Sequence, residues 1–147
     1  MKKTTTLIAI ASMAFISLGA LAQAQETAPA SAAYQDIEAT LGMVPSHFKA
    51  YPESAVAGAW AMTKGLLMDP SNSLEPKVKS LINLAVAAQI PCQYCIWLET
   101  KFAKQQGASD AEIAEAVAQA AYVRHWSTVI NGMQIDFETF KAEFGGE

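Results

Sequence analysis

From Tyr34 to the end of the chain, apolar positions recur at helical spacing, and no alternating, strand-like run or internal repeat interrupts them. YQDIEATLG reads as a short helix stopped by Gly42. MVPSHF is a turn in which Ser46 is placed as an N-cap for the next helical turn. In PESAVAGAWAMTKGLLMD the stripe Val56, Trp60, Met62, Leu66 and Leu67 predicts a helix with Pro52 at its opening. PSNSLEP is loop, with Asn72 or Ser73 poised to cap the helix after it. KVKSLINLAVAAQI, Lys77 to Ile90, starts amphipathic and becomes apolar on nearly every side, as a helix buried in a core or an interface does. Pro91 ends it. CQYCIWLETKFAKQQ predicts another helix, closed by Gly107. Ser109 to Glu112 has the spacing of a capping box, and Ile113, Val117 and Ala120 lie beyond it on one face. That helix runs on through YVRHWSTVIN to about Gly132, and DFETFKAEF makes a last short one. The expected fold is all-α: a single compact helical domain of five to seven helices over residues 34–147.

The N-terminus breaks the pattern. MKK is basic, LIAIASMAFISLGALA is apolar and rich in small residues, and ALAQAQ offers A-x-A cleavage sites ending at Ala22 or Ala24. That order predicts a secretory signal peptide over residues 1–24, and a periplasmic or secreted product. The alternative is an uncleaved anchor, for which the apolar run is short. Residues 25–33, QETAPASAA, read as a flexible leader. Cleavage removes Lys2 and Lys3 and no acid, which leaves 8 basic against 14 acidic residues, a net charge of −6. This balance argues against nucleic acid as a partner, and no membrane contact is expected after cleavage.

The chemistry sits in IPCQYCIWLE, which holds the chain's 2 cysteines, Cys92 and Cys95. Pro91 sets the chain direction, so Cys92 is expected in the first turn of a helix and Cys95 one turn on, on the same side. Free N–H groups and the positive end of the helix dipole favour a thiolate there, and cysteines so placed attack disulfides and peroxides readily. Export permits a disulfide, but a bridge closing so small a loop is a poor staple. A metal would need two further ligands, and His47 and His125 lack finger-like spacing. Inert buried thiols complete the alternatives. The redox reading calls for no cofactor.

EPKVKSLINLAVAAQIPCQYCIWLETKFAKQQGASDAEIAEAV, with GMVPSHFKAYPESA before it, resembles the alkylhydroperoxidase D-like, or carboxymuconolactone decarboxylase-like, superfamily. The resemblance spans about Gly42 to Gly132. It implies an all-helical fold with C-x-x-C at a helix N-terminus, and association into dimers, trimers or hexamers. It also implies peroxide reduction by the two cysteines, with electrons from a partner dithiol. Cys92 and Cys95 match the family's pair. The family's histidine, four residues after the second cysteine, falls on Glu99, and its glutamate, twelve before the first, falls on Ser80. In redox members those two residues form a proton relay.

Three outcomes stand for the missing relay: Glu99 replaces it, His125 replaces it, or nothing does. Glu99 lies one turn beyond Cys95. Ionised, it repels a thiolate and raises its pKa; with a raised pKa of its own it is a weak general base. Its plainer reading is a solvated charge paired with Lys101 or Lys104. His125 either faces the cysteines or packs beside Trp126. Arg124 either favours a thiolate, pairs with Glu99 or makes a surface ion pair. Trp60, Tyr94, Trp97 and Met43, Met62, Met68 and Met133 read as core or oligomer contacts, and His47 as surface.

The leading expectation is an exported thiol oxidoreductase that reduces a peroxide and draws on an exported dithiol. General thiol–disulfide exchange on a disulfide substrate is the alternative, with a non-enzymatic helical oligomer holding a local disulfide behind it. Carboxymuconolactone decarboxylase activity is disfavoured, because members with that activity generally lack the cysteine pair. Either sulfur could attack first: the family pattern favours Cys95, the helix start favours Cys92.

Overall fold

The computed structural model describes residues 29–146. The expected signal peptide and most of the expected leader, residues 1–28, lie outside the described residues. Among the described residues there are seven α-helices and no strand. These are α1 (Ala30–Leu41), α2 (Ser46–Lys49), α3 (Glu53–Thr63) with a π-helical continuation (Lys64–Met68), α4 (Pro76–Gln89), α5 (Gln93–Gln105), α6 (Asp110–Gly132) and α7 (Phe137–Glu143). No helix among them is long and apolar enough to cross a membrane. The contact pattern divides the chain into two units, at Ala57 and Gly58 within α3.

In the first unit the buried apolar side chains are Ala33 and Ile37 of α1, Phe48 of α2 and Val56. Tyr34 donates its hydroxyl hydrogen to the Phe48 carbonyl at 3.4 Å. Gly42, at φ +77°, closes α1 with its N–H on the Glu38 carbonyl at 2.8 Å. α1 begins at Ala30, so Ala30–Ala33, expected as leader, are helical. The Pro29 carbonyl takes the N–H groups of Ala32 and Ala33 at 2.9 and 3.2 Å, and the Ala33 methyl is buried. Ser46 does not cap α2. Pro45 holds the N-cap position with extended backbone, and its carbonyl takes the Phe48 and Lys49 N–H groups.

The second unit is built around α4. Its face Ser80, Leu84 and Ala87 is buried against α5 and α6, whereas Ile82, Val86 and Ile90 are exposed. Burial of Trp60 and Leu84 contributes roughly 2 kcal/mol each. Neither Asn72 nor Ser73 caps α4, which starts on Glu75 and Pro76 with no side-chain cap. The Asn72 amide instead donates to the Gly65 and Leu66 carbonyls at 2.8 and 3.1 Å, groups freed by the π-helical turn.

α4 is tied to α6 at both ends. At its start Lys77 meets Glu112 at 2.7 Å; at its finish the Gln89 amide donates to the Ala120 carbonyl at 2.6 Å and accepts from Arg124 Nε at 2.7 Å. Between α5 and α6, Gly107 takes φ +82°, and the Ala108 and Gly107 N–H groups return to the Ala103 and Lys104 carbonyls at 2.9 and 3.0 Å. Ser109 and Glu112 form the expected capping box.

Candidate active site

The turn from α4 to α5 places the cysteines. The Cys92 N–H is used to close α4, donating to the Ala87 carbonyl at 3.1 Å, so the new helix starts one residue later. Cys92 is therefore the N-cap of α5 (φ −86°, ψ 96°), not a residue of its first turn as expected, and Cys95 is the third helical residue. The Cys95 N–H donates to Cys92 Sγ at 3.3 Å. The two sulfurs are bridged, with Cα atoms 5.3 Å apart, and both residues are half-buried.

Glu99 lies one turn beyond Cys95 on α5 and is also half-buried. Burial pushes its carboxyl above the usual carboxylate range, against the smaller opposing effect of a hydrogen bond from the Asn83 side chain of α4. The lysines that a solvated Glu99 was expected to pair with are engaged elsewhere. Lys104 meets Asp110 at 2.8 Å, and the Lys101 ammonium lies over the Trp97 ring, 5.3 Å from its centroid. Ser80 is buried on α4 one turn before Asn83.

Asn83 was missed by the reading of the sequence, although it is a polar residue within the apolar run LINLAVAA, one turn from Ser80. It also borders a cavity of about 420 Å³ whose walls include Met62, Leu66, Leu74, Ile82 and Lys79. The structure therefore sets Cys92 and Cys95 at the turn between α4 and α5, with Asn83 and Glu99 near the middles of those two helices. His125 is exposed on α6, with its ring edge-on to Trp126 at 5.2 Å between centroids. Arg124 is bound to Gln89 rather than to Glu99. Trp60 is core, Tyr94 and Trp97 are exposed, and His47 is an exposed residue stacked on Phe48 at 4.5 Å. Among the described residues, no three His, Cys, Asp or Glu side chains gather as a metal site would need.

This arrangement is a dithiol–disulfide pair with one sulfur on a helix N-terminus and a partly desolvated carboxyl one turn past the other. Its surroundings have known counterparts. The alkylhydroperoxidase AhpD core from Rhodospirillum rubrum is 27% identical to this chain, with a TM-score of 0.65; the match covers 76% of this chain and 85% of that one. No curated protein matches. Residues 54–136, more than half of the chain, match the carboxymuconolactone decarboxylase family, the helices that carry the cysteine pair included. The chain belongs to the carboxymuconolactone decarboxylase family, within the alkylhydroperoxidase D-like superfamily.

Proposed function

We propose that the protein is an exported thiol oxidoreductase that reduces peroxides by cycling Cys92 and Cys95 between dithiol and disulfide. The observation that carries this reading is the pair itself: two half-buried sulfurs within bonding reach at the start of α5, in a fold similar to an alkylhydroperoxidase core. A thiolate at that position attacks the peroxide oxygen, and the neighbouring thiol resolves the sulfenic acid to a disulfide. The cycle needs a reductant, for which an exported dithiol is the fitting class. The apolar side chains left exposed on α4 and α6 support assembly into a homo-oligomer.

General thiol–disulfide exchange is the second reading. It is favoured by Glu99 and Ser80 at the two relay positions, because exchange needs the pair but not the relay. Thiol counting separates the two. Hydroperoxide added to the reduced mature protein is expected to consume both thiols within minutes. If they persist for hours while free cysteine oxidises, the peroxidase reading falls. A redox titration then tests for exchange: a potential above about −300 mV marks a working pair, a lower one a structural bridge.

A further inference from the structure

We propose that the cavity between the end of α3 and the start of α4 binds a small amphiphilic carboxylate, with an aliphatic chain on its apolar walls and the head group at Lys79. This goes beyond the thiol chemistry and does not rest on it.

The cavity, of about 420 Å³, lies within the second unit. Its volume falls in the range of small-molecule sites, roughly 300–1,000 Å³. Three segments build the walls. α3 contributes Met62, and its π-helical continuation contributes Leu66 and Leu67. The loop before α4 contributes Leu74, and α4 itself Lys79 and Ile82. The wide ring of the π-helical turn joins the Asp69 N–H to the Lys64 carbonyl at 3.0 Å. Inside that ring the Gly65 and Leu66 carbonyls take the Asn72 amide at 2.8 and 3.1 Å. Asn72 thereby ties the loop to the π-helical turn, and Leu74, two residues on, closes one side of the cavity. Turns of this kind are frequent at functional sites.

The lining divides by chemistry. Met62 and Leu66 are 61% and 62% exposed, so these walls stand largely in water, and an aliphatic chain laid on them removes that surface. Lys79 is the one charged residue of the lining. It is half-buried, and among the described residues its ammonium makes no hydrogen bond or ion pair. The acid that feels its charge is Asp69, whose carboxylate is already held by the Ser71 N–H and hydroxyl at 2.8 and 2.7 Å. Lys77, on the same turn of α4, is by contrast bound to Glu112 at 2.7 Å. A cation left open among apolar walls is complementary to a carboxylate on an apolar chain.

Charge also selects between the two large grooves. The one along α6 and α7 has Glu143 as its charged lining residue, which repels a carboxylate. The site is separate from the cysteines as well. Ile90, where α4 gives way to the turn that carries Cys92, is three turns beyond Lys79, roughly 16 Å along the helix axis. A ligand seated at Lys79 needs neither sulfur.

Octanoate is the probe. 1-Octanol supplies the same chain without charge, octylammonium the opposite charge, and acetate the head group alone. Backbone amide shifts of the protein without residues 1–24 are followed by NMR through each titration. Octanoate is expected to shift the amides of Lys79 and Ile82 saturably, with a Kd of about 1 mM or tighter, and to leave those of Tyr122 and Trp126 in place. Octanol should bind about fivefold more weakly, and neither octylammonium nor acetate should saturate the site.

Lys79→Gln should weaken octanoate about fivefold and leave octanol unchanged. Ile82→Trp fills the cavity and should abolish binding of both; Leu74→Trp, on the loop, does the same without altering α4. Melting curves check that each variant is folded. The double variant Cys92→Ser, Cys95→Ser should bind octanoate as the parent does, so that failure of the thiol reading leaves this one standing. The proposal is overturned if octanoate gives no saturable shift at Lys79 and Ile82, if octanol binds as tightly, or if Lys79→Gln leaves octanoate affinity unchanged. It is overturned equally if those amides follow protein concentration rather than octanoate, which marks a second copy of the chain as the occupant.

Discussion

Glu99 stands one turn beyond Cys95 and is half-buried, and its surroundings have consequences for stability. Because burial holds its carboxyl above the value it has in the unfolded chain, the folded protein binds that proton more tightly. Stability tied to Glu99 is therefore full below its unfolded value, near 4.5, and declines as pH rises through the folded value. Glu99→Gln should remove the decline, so that at neutral pH its melting temperature exceeds that of the parent. A melting series from pH 4 to pH 8 checks this, and a variant that melts lower at pH 7 contradicts it. Glu99→His places a base, and when protonated a cation, beside Cys95. Loss of thiols to peroxide should then accelerate roughly tenfold, and unchanged thiol counts would show that position 99 does not act on the pair. The cysteine pair was legible because its spacing is local, and Glu99 and Ser80 were singled out by the family resemblance. Asn83 was not, because its partner lies on the next helix, and a lone amide in an apolar run carries no periodic signal.

The helices divide in the same way. Gly42, Gly107 and the Ser109–Glu112 box mark their helix ends correctly, since a positive φ or a three-residue side-chain loop needs only neighbouring residues. Asn72 misled because two carbonyls freed by a π-helical turn compete for its amide, a feature that periodicity does not show. The opening of α6 serves more than its own helix. Glu112 closes the capping box with one oxygen and reaches Lys77 at the start of α4 with the other. These hydrogen bonds, that of Lys77 foremost, hold its carboxyl down from 4.5 to about 2. Its stabilisation is thus present above its unfolded value and lost as pH falls from 4.5 towards 2. Glu112→Gln should lower the melting temperature at pH 7 and flatten the loss over that acid window; parallel melting curves for variant and parent would contradict it. Ser109→Ala removes the reciprocal half of the box and should cost about 1 kcal/mol in urea unfolding.

Among the described residues many large apolar side chains are exposed, on α4 and α6 above all. The first half of α6 meets α4, but Ala121 through Thr128 are exposed without a break, Tyr122, Val123 and Trp126 among them. Farther along, Met133 and Phe144 are 70% and 78% exposed, and together these residues line a groove of about 700 Å³ along α6 and α7. A second copy that covers this face removes the largest aromatic residues of α6 from water at once. Sedimentation equilibrium of the protein without residues 1–24 at micromolar concentration should therefore give a multiple of the chain mass, and Trp126→Glu or Val123→Glu should move it towards the monomer. A parent protein that sediments as a monomer would end the argument. His125 lies in the chain between Val123 and Trp126, exposed and with its ring edge-on to Trp126 of that groove. If the face is an interface, His125→Ala weakens assembly while the alkylation profiles of the two cysteines stay where they are. If His125 instead serves the thiols, those profiles move and the mass does not.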